Sequence, residues 1–313
     1  MVRRASYVLR STHYVGNSHR RLWAIVILLG ACSGGGAVAE TTSSIVPEPT
    51  TNDVSRTTLL ETTTTTAPPT TTTVPPEPGT VRPDWIGTRF LELRPDGLGI
   101  PQPTPPELIN RRFPSPDLLP PPAGESFEWT AGSVPVDVAN RSSWNEDCPV
   151  TLEGLTYLTM SFYGFDGLPH TGEMLVAAEF AEGVVEAFRR MWEIRFPIEE
   201  MRVQDQDEMD ARPTGDGNVT GAFECRPAVG QSGGWSMHAY GLAVDINPFH
   251  NPYLKGDVVA PELASAYIDR TNVRPGMILE GDAAVGAFDE MGWGWGGRWS
   301  TAKDWMHFSS NGR

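Results

Sequence analysis

The chain reads as an α+β protein, a small antiparallel sheet with flanking helices. Three observations predict this class. Residues 155–163 and 171–177 are runs of β-formers on either side of the turn signal Asp166-Gly167, a hairpin. Val184, Val185, Phe188, Met191, Trp192 and Phe196 recur at helical spacing until Pro197 ends the pattern. Hairpin and helices are mixed along the chain, and no internal repeat is present. A short strand over 198–203, a second helix around 261–268 and a third over 281–291 complete the expected elements.

The 313 residues suggest about two domains on length alone, but much of the first third lacks the composition to fold. Arg3, Arg4, Arg10, Arg20 and Arg21 precede the ten-residue apolar run from Leu22 to Ala31. About 20 apolar residues are needed to span a bilayer, so residues 1–31 read as a signal peptide. The run ends Leu29-Gly30-Ala31-Cys32, which resembles the lipobox of bacterial lipoproteins. That resemblance implies diacylglycerol on Cys32 and a membrane anchor; simple secretion with cleavage near Ala39 is the alternative. Residues 32–80 read as a stalk, since sixteen of residues 41–80 are Thr, interleaved with Pro. Such a segment cannot bury enough apolar surface to offset its chain entropy.

Removing the five arginines of residues 1–31 takes the formal charge from −15 to −20. A chain so acidic has no electrostatic attraction for nucleic acid. Residues 81–147 are Pro-rich but carry anchors such as Trp85, Phe90, Leu91, Phe113, Phe127 and Trp129, and are expected to wrap the working domain, residues 148–313. With Cys32 lipidated, Cys148 and Cys225 remain, and an exported protein can join them in a disulfide. Residues 205–234 are polar and Gly-rich, a long loop of the kind that is usually functional or disordered.

The chemistry concentrates in two stretches, Ser236-Met-His238-Ala-Tyr-Gly241-Leu-Ala-Val-Asp245-Ile-Asn-Pro248 and Lys303-Asp304-Trp-Met-His307-Phe308. Residues 241–246 alternate as a strand. Leu242, Val244 and Ile246 point to a core, and Gly241, Ala243 and Asp245 point the other way. A turn at Tyr240-Gly241 would fold His238 back over Asp245, with His307 to complete a set of two imidazoles and a carboxylate suited to catalytic zinc. Asp304 is then placed as proton acceptor, provided the chain bends between 304 and 307. Spacing alone leaves open that His238 and Asp245 are a surface or structural pair.

These residues resemble the zinc D-Ala-D-Ala carboxypeptidase and L-alanyl-D-glutamate endopeptidase family, related to the hedgehog signalling domain. The family's Ser-x-His-x-x-Gly-x-Ala-x-Asp stands here as Ser236, His238, Gly241, Ala243 and Asp245, and its closing Asp/Glu-x-x-His as Asp304 and His307. Gly292-Trp-Gly-Trp-Gly-Gly297 and Cys225-Arg226-Pro227 are similar to the endopeptidase-like branch. The resemblance spans about residues 148–313. It implies a hedgehog/D,D-peptidase fold, Zn2+ held by His238, Asp245 and His307, and Asp304 as catalytic base. It also implies a substrate-binding or orienting Ser236, and an Arg226 that meets a substrate carboxylate or the tetrahedral intermediate, with a surface ion pair as the alternative for Arg226. The expected substrate is the peptide of bacterial cell wall, cut either as a carboxypeptidase or as an endopeptidase; the competing reading is a non-catalytic zinc-containing wall-binding module. Ser309 departs from the family, which often has Glu there. His250 is expected to be an exposed loop residue and His170 to belong to the hairpin. Trp293, Trp295, Trp299 and Trp305 are read as either a groove wall or core.

Overall fold

A computed structural model describes residues 77–228 and 233–313. The expected signal peptide, Cys32 and the expected stalk up to residue 76 lie outside the described residues. In chain order the strands and helices are β1 (Trp129–Gly132), α1 (Val136–Asn140), β2 (Leu155–Tyr163), β3 (Pro169–Ala177), α2 (Ala181–Glu193), β4 (Glu200–Met201), α3 (Gln206–Asp210), β5 (Val219–Thr220), β6 (Ala243–Asp245), β7 (Tyr253–Lys255), β8 (Val258–Ala260), α4 (Ala283–Glu290), β9 (Gly294–Trp295), β10 (Lys303–Asp304) and β11 (His307–Ser309). Three small sheets, ordered β1-β2-β3, β10-β7-β8 and β6-β11-β9, are antiparallel; the two-residue pair β4–β5 is parallel. The structure is therefore mixed α and β, with small antiparallel sheets and few helices.

The hairpin forms where its sequence places it. Asp166 Oδ1 accepts the Leu168 amide at 3.0 Å, and Gly167 takes the positive φ of 76° that closes the turn. One face of β2 and β3, with Leu158, Met160, Phe162, Met174 and Val176, packs on α2 through Val184, Val185, Phe188 and Met191. Each such side chain contributes about 1.5–3 kcal/mol when fully buried. Val285 and Phe288 of α4, Val244, Ile246, Phe308, Trp293, Trp295 and Trp305 complete this core. Those three tryptophans are thus core, and only Trp299 stays half-buried.

Several elements are shorter than the sequence suggests. The strand expected over 198–203 is the two-residue β4, and the helix expected around 261–268 is a single 3₁₀ turn, Ser265–Tyr267. The loop 205–234 holds α3 and β5.

The Pro-rich segment does more than wrap. Its β1 adds the third strand to the hairpin, pairing Trp129 with Met160, and Leu91, Leu108 and Phe113 build a second core with Phe249, Leu263, Tyr267 and Met277. The folded body therefore begins well before residue 148.

An ion pair seals that second core. Arg111 donates from Nε and Nη2 to the two carboxylate oxygens of Glu199, both at 2.7 Å, and from Nη1 to the Asp216 carbonyl at 2.7 Å. Both side chains are 1% exposed. Asn218 Nδ2 adds a bond to Glu199 at 2.9 Å, and the Arg111 guanidinium stacks on Phe249. His250 is fully buried here, against the expectation of an exposed loop residue. It contacts Asn218 and the Arg111 carbonyl oxygen, and it stacks on Phe165. Its pKa is lowered to about 4, chiefly by burial, so it is the neutral partner in this network.

Removing one member of a buried ion pair leaves an uncompensated charge that costs about 3–5 kcal/mol. Arg111→Met should therefore lower unfolding stability by that amount in urea titration. A loss under about 1 kcal/mol would show that water reaches Glu199 and that the pair does not seal this core.

Candidate metal centre and proton acceptor

The site begins with a cap. Ser236 Oγ accepts the His238 amide at 3.3 Å and starts the 3₁₀ turn Met237–Tyr240. Ser236 thus orients the turn that carries His238. Gly241 ends the turn with φ 67°, and a Cβ there would come within 2.6 Å of the Ala177 amide nitrogen. Only glycine meets both demands. The chain then enters β6, shorter than the alternation of residues 241–246 suggests; Val244 and Ile246 are fully buried as expected, whereas Leu242 is half-buried and Ala243, expected on the open face, is fully buried.

Asp245 sits on a strand held at both edges. On one side it pairs directly with His307 of β11. On the other it exchanges two backbone hydrogen bonds with Gly221, at 3.1 and 2.9 Å. Directly opposed residues of an antiparallel pair share a face, so the register sets the Asp245 carboxylate beside the His307 ring. His238 reaches the same point from the preceding turn.

The three side chains converge at ligand spacing. His238 Nε2 lies 3.2 Å from His307 Nδ1 and 3.2 Å from Asp245 Oδ2, and His307 Nδ1 lies 3.0 Å from Asp245 Oδ1. Tetrahedral zinc with bonds of about 2.0–2.1 Å needs ligand atoms roughly 3.3 Å apart. Among the described residues this is the one group of three or more metal-capable side chains whose ligand atoms lie within 4.8 Å of one another.

Each imidazole also has its second nitrogen on a main-chain oxygen. His238 Nδ1 contacts the Ala222 oxygen at 2.5 Å, and His307 Nε2 contacts that of Arg313 at 3.3 Å. A carbonyl oxygen only accepts, so each of these nitrogens carries the proton. The facing pair, His238 Nε2 and His307 Nδ1, keeps its lone pairs for a metal. The residues fit a zinc ion.

Electrostatics agrees with that fit. Burial pushes His238 down, but the Asp245 carboxylate outweighs it and lifts the imidazole to about 9. Burial works to raise Asp245, and the two imidazoles hold it well below the usual carboxylate range. A proton on His238 thus balances the Asp245 charge, and a bound cation would displace it.

Asp304 lies on β10, and the chain bends at Trp305–Met306 before His307, the bend the three-residue spacing demands. Its Oδ1 is buried without a hydrogen-bond partner among the described residues. Burial pushes this carboxyl up to about 7, with the Asp245 charge raising it further while His307 and His238 pull down. A carboxylate poised near neutrality and unspent on protein partners is suited to accept a proton.

Arg226 donates from Nε to Glu224 Oε2 at 2.6 Å. Burial lowers its pKa, but the charges of Glu224, Asp245 and Asp304 leave it raised, which puts the guanidinium within the field of the site. Cys225, between these two residues, is bonded to Cys148 with Cα atoms 5.8 Å apart, and its amide donates to Ser143 Oγ at 3.0 Å. Closing a loop of 77 residues is worth about 4.5 kcal/mol in the chain-entropy picture. Trp299 lies 5.7 Å from the His307 ring and donates to the Gly312 oxygen.

Sequence reasoning missed Glu224 and the oxygens of Ala222 and Arg313. The spacing of Glu224 and Arg226 around Cys225 was a usable signal, because neighbours two apart on extended chain share a face. Main-chain acceptors leave no trace in residue identity.

Residues 229–310 match the family model described as D-alanyl-D-alanine carboxypeptidase. The matched stretch includes Ser236, His238, Asp245, Asp304 and His307, while Cys225 and Arg226 fall just ahead of it. Neither the curated proteins nor the solved structures provide a match to the chain.

The geometry predicts one zinc per chain by elemental analysis. The double substitution His238→Ala, His307→Ala should abolish it, and wild-type zinc content in that variant would refute the assignment. Ser236→Ala should retain the metal and cost about 1 kcal/mol as a lost cap.

Proposed function

We propose, from the match of residues 229–310 to the D-alanyl-D-alanine carboxypeptidase family model, that this chain is a zinc peptidase of bacterial cell-wall peptides, exported and anchored through lipid on Cys32. The observation that carries the reading is the pairing of a ligand trio, its lone pairs turned inward, with a separate buried carboxylate that makes no protein hydrogen bond among the described residues. A zinc-binding module without activity would have no use for that carboxylate.

When bound to His238, Asp245 and His307, zinc supplies Lewis acidity toward water and the scissile carbonyl. Asp304 takes a proton from the attacking water and returns it to the leaving amine as the C–N bond breaks. The Arg226 Nη atoms, with Nε held by Glu224, are the groups that meet a substrate carboxylate or the developing oxyanion. The Ala222 and Arg313 oxygens keep both imidazoles in one tautomer throughout. The acidic mature chain gains its place at the wall from the anchor rather than from charge.

Mass spectrometry of muropeptides after incubation with the zinc-loaded chain tests the reading directly; loss of a terminal D-Ala or scission between L-Ala and D-Glu identifies the bond. Asp304→Asn should keep the zinc and lose about 10²–10⁴-fold in kcat, and retention within a factor of a few would remove Asp304 from the reaction. For the anchor, Cys32→Ser should release the protein from the membrane fraction or leave it unprocessed. Unchanged fractionation together with an unchanged N-terminus would count decisively against lipidation.

A further inference from the structure

The strand that pairs with the proton acceptor brings a second polar group to the site. β7 and β10 are antiparallel with Asp304 directly opposite Tyr253, so the two side chains leave the sheet on one face. The Asp304 carboxyl is in turn within electrostatic reach of His307, Asp245, His238 and Arg226. Tyr253 is half-buried. Tyr157 donates its hydroxyl to Glu173 at 2.6 Å and Tyr267 donates to the Leu108 oxygen at 3.2 Å, whereas the Tyr253 hydroxyl has no such partner among the described residues. A phenol at the edge of a catalytic face with its donor unspent is available to a substrate oxygen.

We propose that Tyr253 is a catalytic residue whose hydroxyl donates a hydrogen bond to the oxygen of the scissile carbonyl, on the side of the site formed by β7. This rests on the peptidase reading above and adds a residue to it. The phenol is suited to the task at neutral pH: burial first, and then the Asp304 charge, raise its pKa above the ordinary tyrosine value, so it remains a protonated donor. No covalent bond is made to it. The hydrogen bond shortens as negative charge builds on the oxygen and relaxes when the C–N bond breaks, so it favours the transition state over the bound substrate. The neighbours fix its position from below, because β7 also pairs with β8, Tyr253 opposite Ala260.

The test is Tyr253→Phe in the full-length zinc-loaded chain, which keeps the ring and removes only the donor. Losing one such donor costs about 10²-fold in kcat, with KM changed by no more than about 3-fold. Zinc content and melting temperature should match wild type, and a phosphinate dipeptide analogue of the tetrahedral state should weaken by the same factor as kcat/KM. Turnover within about 3-fold of wild type, or a loss confined to KM, would overturn the proposal. If wild type itself cleaves no wall peptide, the peptidase reading fails separately, and phenolate absorbance decides the placement. The Tyr253 titration, isolated by subtracting Tyr253→Phe, should then fall to lower pH in Asp304→Asn. An unmoved midpoint would show that the Tyr253 hydroxyl does not come close to the Asp304 carboxyl and would overturn the proposal.

Discussion

The three-residue pairing of β6 with β11 is the constraint on which the site depends. It places Asp245 opposite His307, and a slip of one residue would turn one of them to the far side of the sheet. The register is enforced by what lies on that far side. Val244 and Phe308, the next pair along, are both fully buried, and Phe308 stacks on Phe288 of α4 with ring centroids 4.2 Å apart. Shifting the strands would expose these groups and bury the carboxylate without its partners, so the hydrophobic core and the ligand set select the same alignment. Beside this pair, Gly296 lets the chain pass close to β10, since a Cβ there would come within 2.5 Å of the Asp304 main-chain oxygen.

The chain just beyond Asp245 is tied down from a distance. Asn247 adopts φ 45°, and its side chain bonds the Pro197 oxygen at 2.8 Å and receives the Glu199 amide at 3.2 Å. Glu199 in turn holds Arg111. The exit of β6, the strand that carries Asp245, is thereby linked, through two buried polar residues, to a segment more than a hundred residues earlier. A buried ion pair adds little net stability over an apolar substitute, but it tolerates few alternative arrangements. Here it fixes the path of the Pro-rich segment across the second core.

The candidate ligand cluster His238, Asp245 and His307 and the neighbouring Asp304 were legible in the sequence because such chemistry restricts residue type and because glycine and small residues mark the turn at Gly241. The hairpin and α2 were legible from period. What escaped had no local signature. His250 looks like any loop histidine until Arg111 and Asn218 arrive from elsewhere to enclose it. The tryptophans around β9 could have lined a groove, and only the packing of α4 against β11 assigns Trp293 and Trp295 to the core. In residues 81–147 the anchors Leu91 and Phe113 were legible, but not that they build a second core with Leu108 or that Trp129 begins a strand. Two-residue strands such as β4, β5 and β10 are too short for any alternation to show.

The two oxygens that fix the imidazole tautomers belong to the main chain, at Ala222 and Arg313. Every residue type carries such an oxygen, so residue identity does not mark the acceptor, although at Ala222 only a small side chain fits the core around it. A scan of single substitutions would therefore read the packing of the buried Ala222 side chain rather than the acceptor its main chain supplies. The site is in this respect exposed to changes in chain path. An insertion or deletion near residue 222 could move the oxygen away from His238 and free the ring to turn, although every residue named in the metal site would still be present.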